Sequence, residues 1–220
     1  MKTKITASSL LKPNGLSGFV RKLQYAPRVL DVGCGNNSPS RIKNLIPNSY
    51  YVGLDIGDYN QKINVGGIAD EYIICKPEDF AYTINCMEHQ FDAVISSHNL
   101  EHCNDSISTL VSMLKVLKPG GFCYLAFPSE ATVSFPSRKG TLNFFDDETH
   151  SESPPDLETV LQIVADCNCD VEVLKRRHRP IGLFFLGLFL EPFSILFKKV
   201  MLGTWSLYGF ETVVWIYKKK

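Results

Sequence analysis

A glycine-containing turn at the end of an apolar run is the feature of this sequence that most directly indicates chemistry. Residues 29–37 read Val-Leu-Asp-Val-Gly-Cys-Gly-Asn-Asn, so the run contains Asp31 and breaks into Gly33-x-Gly35. Glycine permits the backbone dihedral angles of a tight turn and allows a ligand to approach the main chain closely. The pattern therefore predicts that a cofactor binds at this turn.

The type of cofactor is limited by what the turn lacks. A dinucleotide fingerprint requires Gly-x-Gly-x-x-Gly, but Ser38 occupies the third glycine position, and the sequence contains no Gly-x-x-x-x-Gly-Lys phosphate loop. A carboxylate such as Asp31 is poorly suited to face a pyrophosphate and better suited to face an ammonium group. These residues favour a cationic ligand over a nucleotide phosphate.

The elements that must position this turn follow from the hydropathy pattern. From residue 28 onward, short apolar runs alternate with longer amphipathic stretches, which is typical of βαβ units in an open parallel sheet. Helices are predicted at residues 40–45, 106–117 and 157–165. Strands are predicted at residues 28–32, 50–56, 71–75, 91–96, 121–127, 171–176 and 212–217.

The composition is that of an ordinary globular protein. The 220 residues include 23 Lys and Arg and 23 Asp and Glu, which gives a formal net charge of zero. A duplex nucleic-acid binder usually carries excess basic charge, so no nucleic-acid partner is expected. Seven cysteines without a Cys-x-x-Cys pair argue against a disulfide framework and a thiolate zinc site. With no apolar signal segment near the N-terminus, we expect a cytoplasmic protein.

Four motifs in residues 28–128 together resemble the class I S-adenosylmethionine-dependent methyltransferases, especially the small bacterial type. In order, they are the Asp31-x-Gly33-x-Gly35 turn, the acid Asp55, Leu100-Glu101-His102, and the Leu-Lys-Pro-Gly-Gly of residues 117–121. The resemblance implies an α/β fold: a Rossmann-like, doubly wound, mostly parallel seven-stranded sheet with the last strand antiparallel. We expect a single domain over residues 1–220. The resemblance also implies S-adenosyl-L-methionine as the cofactor.

The resemblance assigns the main cofactor contacts to the first two strand ends. Asp31, Gly33 and Gly35 would lie under the methionine part of the cofactor. Asp55 would accept hydrogen bonds from both ribose hydroxyls, and Ile56 would pack on the adenine.

Further cofactor contacts are predicted after the third and fourth strands. Glu78 and Asp79 resemble the acid that receives the adenine amino group, and Phe80 the residue that flanks the ring. Glu78 and Asp79 could equally cap the next helix. Ser97 and Leu100 would face the methionine end.

Three histidines are candidate catalytic residues. His98 and His102 follow the fourth strand, and His150 lies in the polar segment 129–153, which we expect to close over the acceptor. A histidine near neutral pKa can take a proton from an acceptor hydroxyl or amine, although each of these could instead only brace its loop. His98-x-x-Glu101-His102 also spells the inverted zinc-peptidase motif, but a preceding strand and following cap disfavour the helix it needs. No metal site is predicted.

The apolar segment 181–197 does not fit the simple alternation. It is interrupted by Glu191 and Pro192 and flanked by basic residues, and its uninterrupted part, 181–190, is too short to span a bilayer. One interpretation is a helix buried against the sheet or against a second subunit, as in a homodimer. The other is an interfacial helix whose basic flanks bring the protein to the inner face of a membrane.

Two functions are compatible with these features. The first is an enzyme of the EC 2.1.1 type, transferring a methyl group to a small-molecule, glycan or lipid-linked acceptor by in-line displacement. Because a sulfonium is already a good leaving group, such a protein mainly orients the reactants and excludes water. The alternative is a catalytically silent relative that serves as a binding or assembly module. Segment 181–197 and Asn37, at the third glycine position of the family's turn, suggest it.

Overall fold

A computed structural model describes residues 12–62, 64–87, 91–150 and 153–220. Its strands form one seven-stranded sheet in the order β3-β2-β1-β4-β5-β7-β6. The strands are β1 (Arg28–Val32), β2 (Tyr50–Asp55), β3 (Glu71–Ile74), β4 (Phe91–Ser97), β5 (Leu117–Pro128), β6 (Cys169–Lys175) and β7 (Glu211–Lys218). Neighbouring pairs from β3 to β5 are parallel, whereas β7 is antiparallel to β5 and to β6. The predicted fold class is confirmed.

Seven α-helices lie in the described part of the chain. They are α1 (Leu16–Phe19), α2 (Ser38–Leu45), α3 (Phe80–Asn85), α4 (Ser106–Lys115), α5 (Leu157–Asp166), α6 (Ile181–Leu196) and α7 (Thr204–Tyr208). Side-chain caps fix two of the predicted starts. Asp105 accepts a hydrogen bond from the Ser108 N–H at 2.8 Å, and Asp156 accepts one from the Thr159 N–H at 2.8 Å. The sequence did not reveal α1, α3 and α7, which have only four to six residues.

The Leu-Lys-Pro-Gly-Gly segment differs from its prediction. We expected it to be a turn into a strand over 121–127, but β5 already begins at Leu117. The register against β4 shifts between Phe91 and Ala93, and Gly120 has a φ of +83°. The extra residues are therefore accommodated as an irregularity within the ladder, where glycine adopts the left-handed backbone at low cost.

The sheet carries apolar side chains on both faces, as expected for central parallel strands. On β1, Leu30 and Val32 belong to one buried cluster and Val29 to the other. The first cluster packs against α4 and α5, and the second packs beneath α1 and α2. These two layers hold the carboxyl ends of β1, β2 and β4 side by side.

Segment 129–153 contains ordered structure in its described residues; residues 151 and 152 lie outside them. Short 3-10 helices span Glu130–Ser134 and Phe144–Asp146. The Asp146 carboxylate accepts backbone N–H groups of Arg138, Leu142 and Asn143 at 2.9 to 3.1 Å. Burial alone would raise the pKa of Asp146, but these bonds and one from Ser137 lower it. The loop is thus anchored around an ionised carboxylate.

Helix α6 is not buried against the sheet, which corrects one half of the first interpretation. Only Gly187 and Ser194 are buried. A Cβ on Gly187 would lie 2.3 Å from the Gly203 carbonyl oxygen, so the absent side chain allows close packing next to α7. The large apolar side chains face outward. Across the described ranges, no helix combines the length and apolar character needed to cross a bilayer.

Candidate functional site

A cavity of about 460 Å³ opens where β1, β2 and β4 end. This volume is within the range of roughly 300–1,000 Å³ that is common for small-molecule sites. Twelve of its lining residues come from the ends of these strands and the loops that follow them, and four more come from other segments. The lining consists of Gly33, Gly35, Asn36, Asp55, Ile56, Tyr59, Asn60, Pro77, Phe80, His98, Asn99, His102, Cys103, Asn104, Asp147 and Thr149.

The glycine turn forms the floor of this cavity. Gly33 has a φ of +77°, and a Cβ there would lie 2.3 Å from Asn99 Oδ1, so only glycine fits. Its N–H donates to the Leu54 carbonyl at 2.9 Å. Asn37, at the family's third glycine position, is left-handed with a φ of 60°. Asparagine tolerates this conformation better than most residues, so the turn keeps its shape without the third glycine.

Asp55 and Ile56 line the cavity at the end of β2. Burial raises the pKa of the Asp55 carboxyl, and hydrogen bonds from the Ile56, Gly35 and Gly57 N–H groups partly offset the increase. Its Oδ1 lies 2.7 Å from the Ile56 nitrogen. Ile56, Pro77 and Phe80 supply the apolar part of the lining. A carboxylate beside an apolar surface suits a ribose joined to a flat base.

Asp31 is placed differently from its prediction, because its side chain lies behind the turn and not on the cavity surface. It is 2% exposed, and its Oδ2 accepts the Tyr51 hydroxyl at 2.6 Å. Burial raises its pKa, while hydrogen bonds from Tyr51 and Ser38 and the charge of Arg41 lower it. Asp31 lies one residue before the end of β1, beneath the turn, where Tyr51 and Ser38 enclose its carboxylate. Asp31 therefore holds the strand and helix together.

Four other predicted cofactor residues do not line the cavity. Glu78 and Asp79 are exposed in a 3-10 turn, and Asp79 precedes α3 without a side-chain capping bond. Ser97 ends β4, half-buried. Leu100 is 4% exposed, belongs to the main core cluster and borders a neighbouring apolar hollow. Of the cofactor contacts predicted after the third and fourth strands, only Phe80 lines the cavity.

His98 lines the cavity but has both ring nitrogens occupied. Nδ1 lies 3.2 Å from Glu101 Oε1, and Nε2 lies 3.0 Å from Glu211 Oε1. Burial alone would lower its pKa, but the two carboxylates raise it to about 9. The same pairing, with Lys12 2.6 Å from Glu211, holds the pKa of Glu211 well below its usual range against the effect of burial. The charged His98 ring therefore links Glu101, in the turn after β4, to Glu211, the first residue of β7.

His102 and His150 meet beside the cavity, although 48 residues separate them. Their ring centroids are 4.6 Å apart. His102 Nδ1 lies 2.9 Å from Thr149 Oγ1, and loss of hydration lowers its pKa. His150 Nδ1 lies 2.6 Å from the Phe144 carbonyl oxygen, and its ring stacks on Phe144 at 4.1 Å. Segment 129–153 therefore contacts the loop that follows β4.

The inverted peptidase motif has no helical geometry here. His98 has a φ of +53° between β4 and a 3-10 turn over Leu100–His102. Its nitrogens are directed at two different carboxylates and not toward His102. This arrangement cannot present both histidines of the motif to one ion.

Several residues of the site were missed by the sequence interpretation. Tyr59 and Asn60 reach the cavity because their loop covers the glycine turn, with the Asn36 N–H donating to the Tyr59 carbonyl at 2.9 Å. Glu211 opens β7, and because β7 is antiparallel, its first residue pairs with Pro128 at the edge where β5 ends. In the sequence, Glu211 could have been singled out as an acidic residue directly before the last apolar run.

The middle of the chain matches a known family model. Residues 30–125 match the model described as a methyltransferase domain. This range contains the glycine turn, Asp55 and the Leu100-Glu101-His102 motif. No curated protein matches the sequence closely enough to count as a relative.

Solved structures share the fold over most of the chain. An S-adenosylmethionine-dependent methyltransferase from Mesorhizobium loti superposes with a TM-score of 0.58 at 15% identity, covering 88% of this chain and 91% of its own. A 1,6-didemethyltoxoflavin-N1-methyltransferase from Burkholderia thailandensis, with bound 1,6-didemethyltoxoflavin and S-adenosylhomocysteine, gives 0.58 at 10%, covering 97% and 80%. The [4+2]-cyclase SpnF gives 0.56 at 14%, covering 94% and 80%.

At these identities, the structural likeness establishes the fold, and the cyclase illustrates that one fold can host different reactions. The family assignment rests on the domain match, which falls on the motifs that carried the resemblance. The predicted family is thereby confirmed, and S-adenosylmethionine is the cofactor of that family. Residues 30–125 of this chain match the methyltransferase-domain family, in agreement with the predicted resemblance to the class I S-adenosylmethionine-dependent methyltransferases.

Proposed function

We propose that the cavity at the end of β1, β2 and β4 binds S-adenosylmethionine and that the protein transfers its methyl group to a small-molecule, glycan or lipid-linked acceptor. The observation that carries this proposal is that Asp55 and the Gly33–Gly35 turn line one cavity together with Ile56 and Phe80. The glycine turn would receive the methionine part, Asp55 the ribose hydroxyls, and the apolar residues the adenine. When bound, the cofactor supplies a methyl group on a good leaving group.

The protein's own contribution is orientation and the exclusion of water. Asn99 lies against Gly33, where a Cβ would be 2.4 Å from its Cγ, so the β4 loop is packed directly on the turn. Asp147 and Thr149 bring segment 129–153 to the same cavity from the other side. We propose that this segment closes over the acceptor.

The three predicted catalytic histidines differ in what they can do. His98 has no free ring nitrogen, so we propose that it positions the β4 loop and accepts no proton. His102 and His150 each use Nδ1 in a hydrogen bond and keep Nε2 without a partner among the described residues, and each lies at the acceptor side. A proton acceptor is needed only for an acceptor group that must lose a proton.

Calorimetry with S-adenosylhomocysteine tests the cofactor site. The wild-type protein should bind one equivalent, and Asp55→Ala should weaken binding by at least about tenfold, because a carboxylate paired with two hydroxyls contributes on the order of 1.5–3 kcal/mol. Asp58→Asn is the matched control, since Asp58 is close in sequence but bonds to the Tyr72 hydroxyl outside the cavity lining. Absence of binding by the wild-type protein would refute the proposal.

We also propose that α6 contacts an anionic membrane surface, which favours a lipid-linked acceptor. A surface helix usually turns its apolar side toward the protein, but α6 does the opposite. Gly187, Glu191 and Ser194 face the protein, and the large apolar side chains face outward. The most exposed are Ile181 at 75%, Phe189 at 72% and Leu196 at 73%. An exposed apolar face of this kind marks an interaction site.

Basic residues at both ends of α6 support a membrane as the partner. Lys175, Arg177 and Arg179 precede the helix, and Lys198 and Lys199 follow it, all on the surface. Exposed Lys139 joins the second group, because its backbone pairs with residues 198 and 200. Lysine and arginine beside an apolar helix favour anionic lipid headgroups.

Flotation with phospholipid vesicles tests this contact. The protein should float with vesicles that contain phosphatidylglycerol, and less with pure phosphatidylcholine. Phe185→Ser with Phe189→Ser should abolish flotation, whereas Tyr82→Ser, which removes an equally exposed aromatic ring from α3, should not. If the protein instead sediments as a dimer that the double substitution dissociates, and does not float, α6 is a subunit interface and the membrane proposal is wrong.

The catalytically silent module remains the second candidate function, favoured only by this exposed helix. It predicts that the chain self-associates and fails to bind S-adenosylhomocysteine. Sedimentation of the wild-type chain and of the Phe185→Ser/Phe189→Ser variant, alongside the calorimetry, separates the two functions.

A further inference from the structure

Three side chains with metal-binding atoms converge at the edge of the cavity. Glu101 and His102 belong to the 3-10 turn Leu100–His102, and His150 lies in segment 129–153. One ligand atom from each lies within 4.8 Å of those of the other two. His102 also lines the cavity, so the cluster is adjacent to the cofactor site without overlapping Asp55 or the glycine turn.

In each residue, one polar atom is already held by the protein, which leaves the other free. His150 Nδ1 bonds to the Phe144 carbonyl, an acceptor, so Nδ1 carries the proton and Nε2 presents a lone pair. Thr149 donates its hydroxyl proton to Asp147 at 2.6 Å, so it accepts from His102 Nδ1, and His102 Nε2 also presents a lone pair. Glu101 Oε1 bonds to His98, which leaves Oε2.

The cluster therefore contains three acceptors and no donor. The Glu101 side chain is 1% exposed. Glu101 Oε2 and His150 Nε2 are both buried, and neither has a hydrogen-bond partner in the ranges that the structure describes. Buried acceptors without partners are unfavourable, and converging lone pairs repel one another. A cation bound between them would remove both penalties.

We propose that Glu101, His102 and His150 bind a divalent transition-metal ion. Two imidazole nitrogens and one carboxylate oxygen suit Zn²⁺, Fe²⁺, Mn²⁺ or Co²⁺ better than Mg²⁺ or Ca²⁺, which favour oxygen ligands. The three ligand atoms lie within 4.8 Å of one another, so an ion at their centre would be at most roughly 2.8 Å from each. If each side chain moved about 0.7 Å toward the ion, the bonds would reach about 2.1 Å.

The surrounding contacts have the form that metal ligands require. Ligating histidines usually donate their second ring N–H to a carbonyl or a carboxylate-linked group, which fixes the ring and its tautomer. The Phe144 carbonyl and the Asp147–Thr149 pair do this for His150 and His102, and the His98 imidazolium holds Glu101. His98 itself has no free nitrogen, so the site differs from the peptidase motif in using His150 in its place.

The described residues supply three protein ligands, so one or more coordination positions would remain for water or for an oxygen atom of the acceptor. The latter role rests on the methyl transfer proposed above, whereas metal binding itself does not. With the ion bound, His102 and His150 ligate it and are no longer proton acceptors.

Metal binding is measured on the full chain after chelator treatment, without cofactor. Zn²⁺ is titrated by calorimetry, and Co²⁺ is used as a spectroscopic probe because its visible absorption reports coordination number. We expect one ion per chain, and a loss of affinity of at least about tenfold in His150→Ala and in Glu101→Gln. Glu148→Gln, an exposed carboxylate in the same loop, is the matched control and should bind normally.

Thermal unfolding of each variant checks that it is folded; His150→Gln replaces His150→Ala if the latter is not. Substoichiometric binding, or binding that these variants leave unchanged, would overturn the proposal and indicate adventitious sites. S-adenosylhomocysteine binding is measured separately, so failure of the metal site and failure of the cofactor site are distinguishable.

Discussion

Arg138 and Glu191 form a two-pronged ion pair that joins segment 129–153 to α6. Arg138 Nη2 lies 2.7 Å from Glu191 Oε1, and Nη1 lies 2.9 Å from Oε2. Their side chains are 6% and 14% exposed. Ser194 and the Tyr208 hydroxyl complete the hydrogen bonds of the pair. The loop proposed to cover the acceptor is thus fixed to the helix proposed to contact the membrane.

Removing one partner of this ion pair should lower the stability of the protein strongly. Arg138→Met leaves the Glu191 carboxylate buried without its cation, and we expect the free energy of unfolding to fall by about 3–5 kcal/mol. Arg138→Met with Glu191→Met removes both charges and should recover most of the loss. Urea unfolding of the three proteins measures this. Equal losses in the single and double variants would contradict the buried pair.

The same pair should make stability depend on pH. Burial alone would raise the pKa of Glu191, but hydrogen bonds from Arg138 and Tyr208 outweigh it and lower the pKa below 4.5. The stabilisation is therefore complete above the unfolded value and is lost as the pH falls through the lower folded value. Unfolding free energies of the wild type should decrease below about pH 4.5 more steeply than those of the Arg138→Met/Glu191→Met variant. Parallel curves would argue against this linkage.

The glycine turn should tolerate a substitution at Asn37 but not one at Gly33. Gly33→Ala combines a positive φ with a Cβ 2.3 Å from Asn99 Oδ1. We expect a loss of about 1–3 kcal/mol in stability and at least about tenfold weaker S-adenosylhomocysteine binding. Asn37→Gly keeps the left-handed conformation and should bind like the wild type. Calorimetry on both variants tests the pair of expectations; normal binding by Gly33→Ala would contradict the role of the turn.

The Asp31 carboxylate should contribute to the stability of the fold and not to cofactor binding. Tyr51→Phe removes the hydroxyl 2.6 Å from its carboxylate, which leaves a buried acceptor unsatisfied and should cost about 1–3 kcal/mol. Cofactor affinity should change less than about twofold, because neither residue lines the cavity. Chemical denaturation and calorimetry on the same sample separate stability from binding. A large loss of affinity with unchanged stability would assign Asp31 to the cofactor instead.

The sequence by itself determined the alternation of strands and helices, the glycine turn and the acid at the end of β2. These features are local: hydropathy period, glycine dihedral freedom and helix capping act within a few residues. The same information could not decide that Asp31 is enclosed while Asp55 lines the cavity, because both lie on one face of the sheet and only the packing of Tyr51 and Ser38 around Asp31 separates them.

Only the tertiary structure brought Glu211 to His98 and His150 to His102. Glu211 arrives through the antiparallel register of β7 with β5, and His150 arrives through a loop ordered around Asp146. The orientation of α6 was also undecided, since an almost wholly apolar helix has no period that marks its inner face. Gly187 and Glu191 decided it, because close backbone packing and a buried ion pair outweigh the burial of phenylalanine on that side.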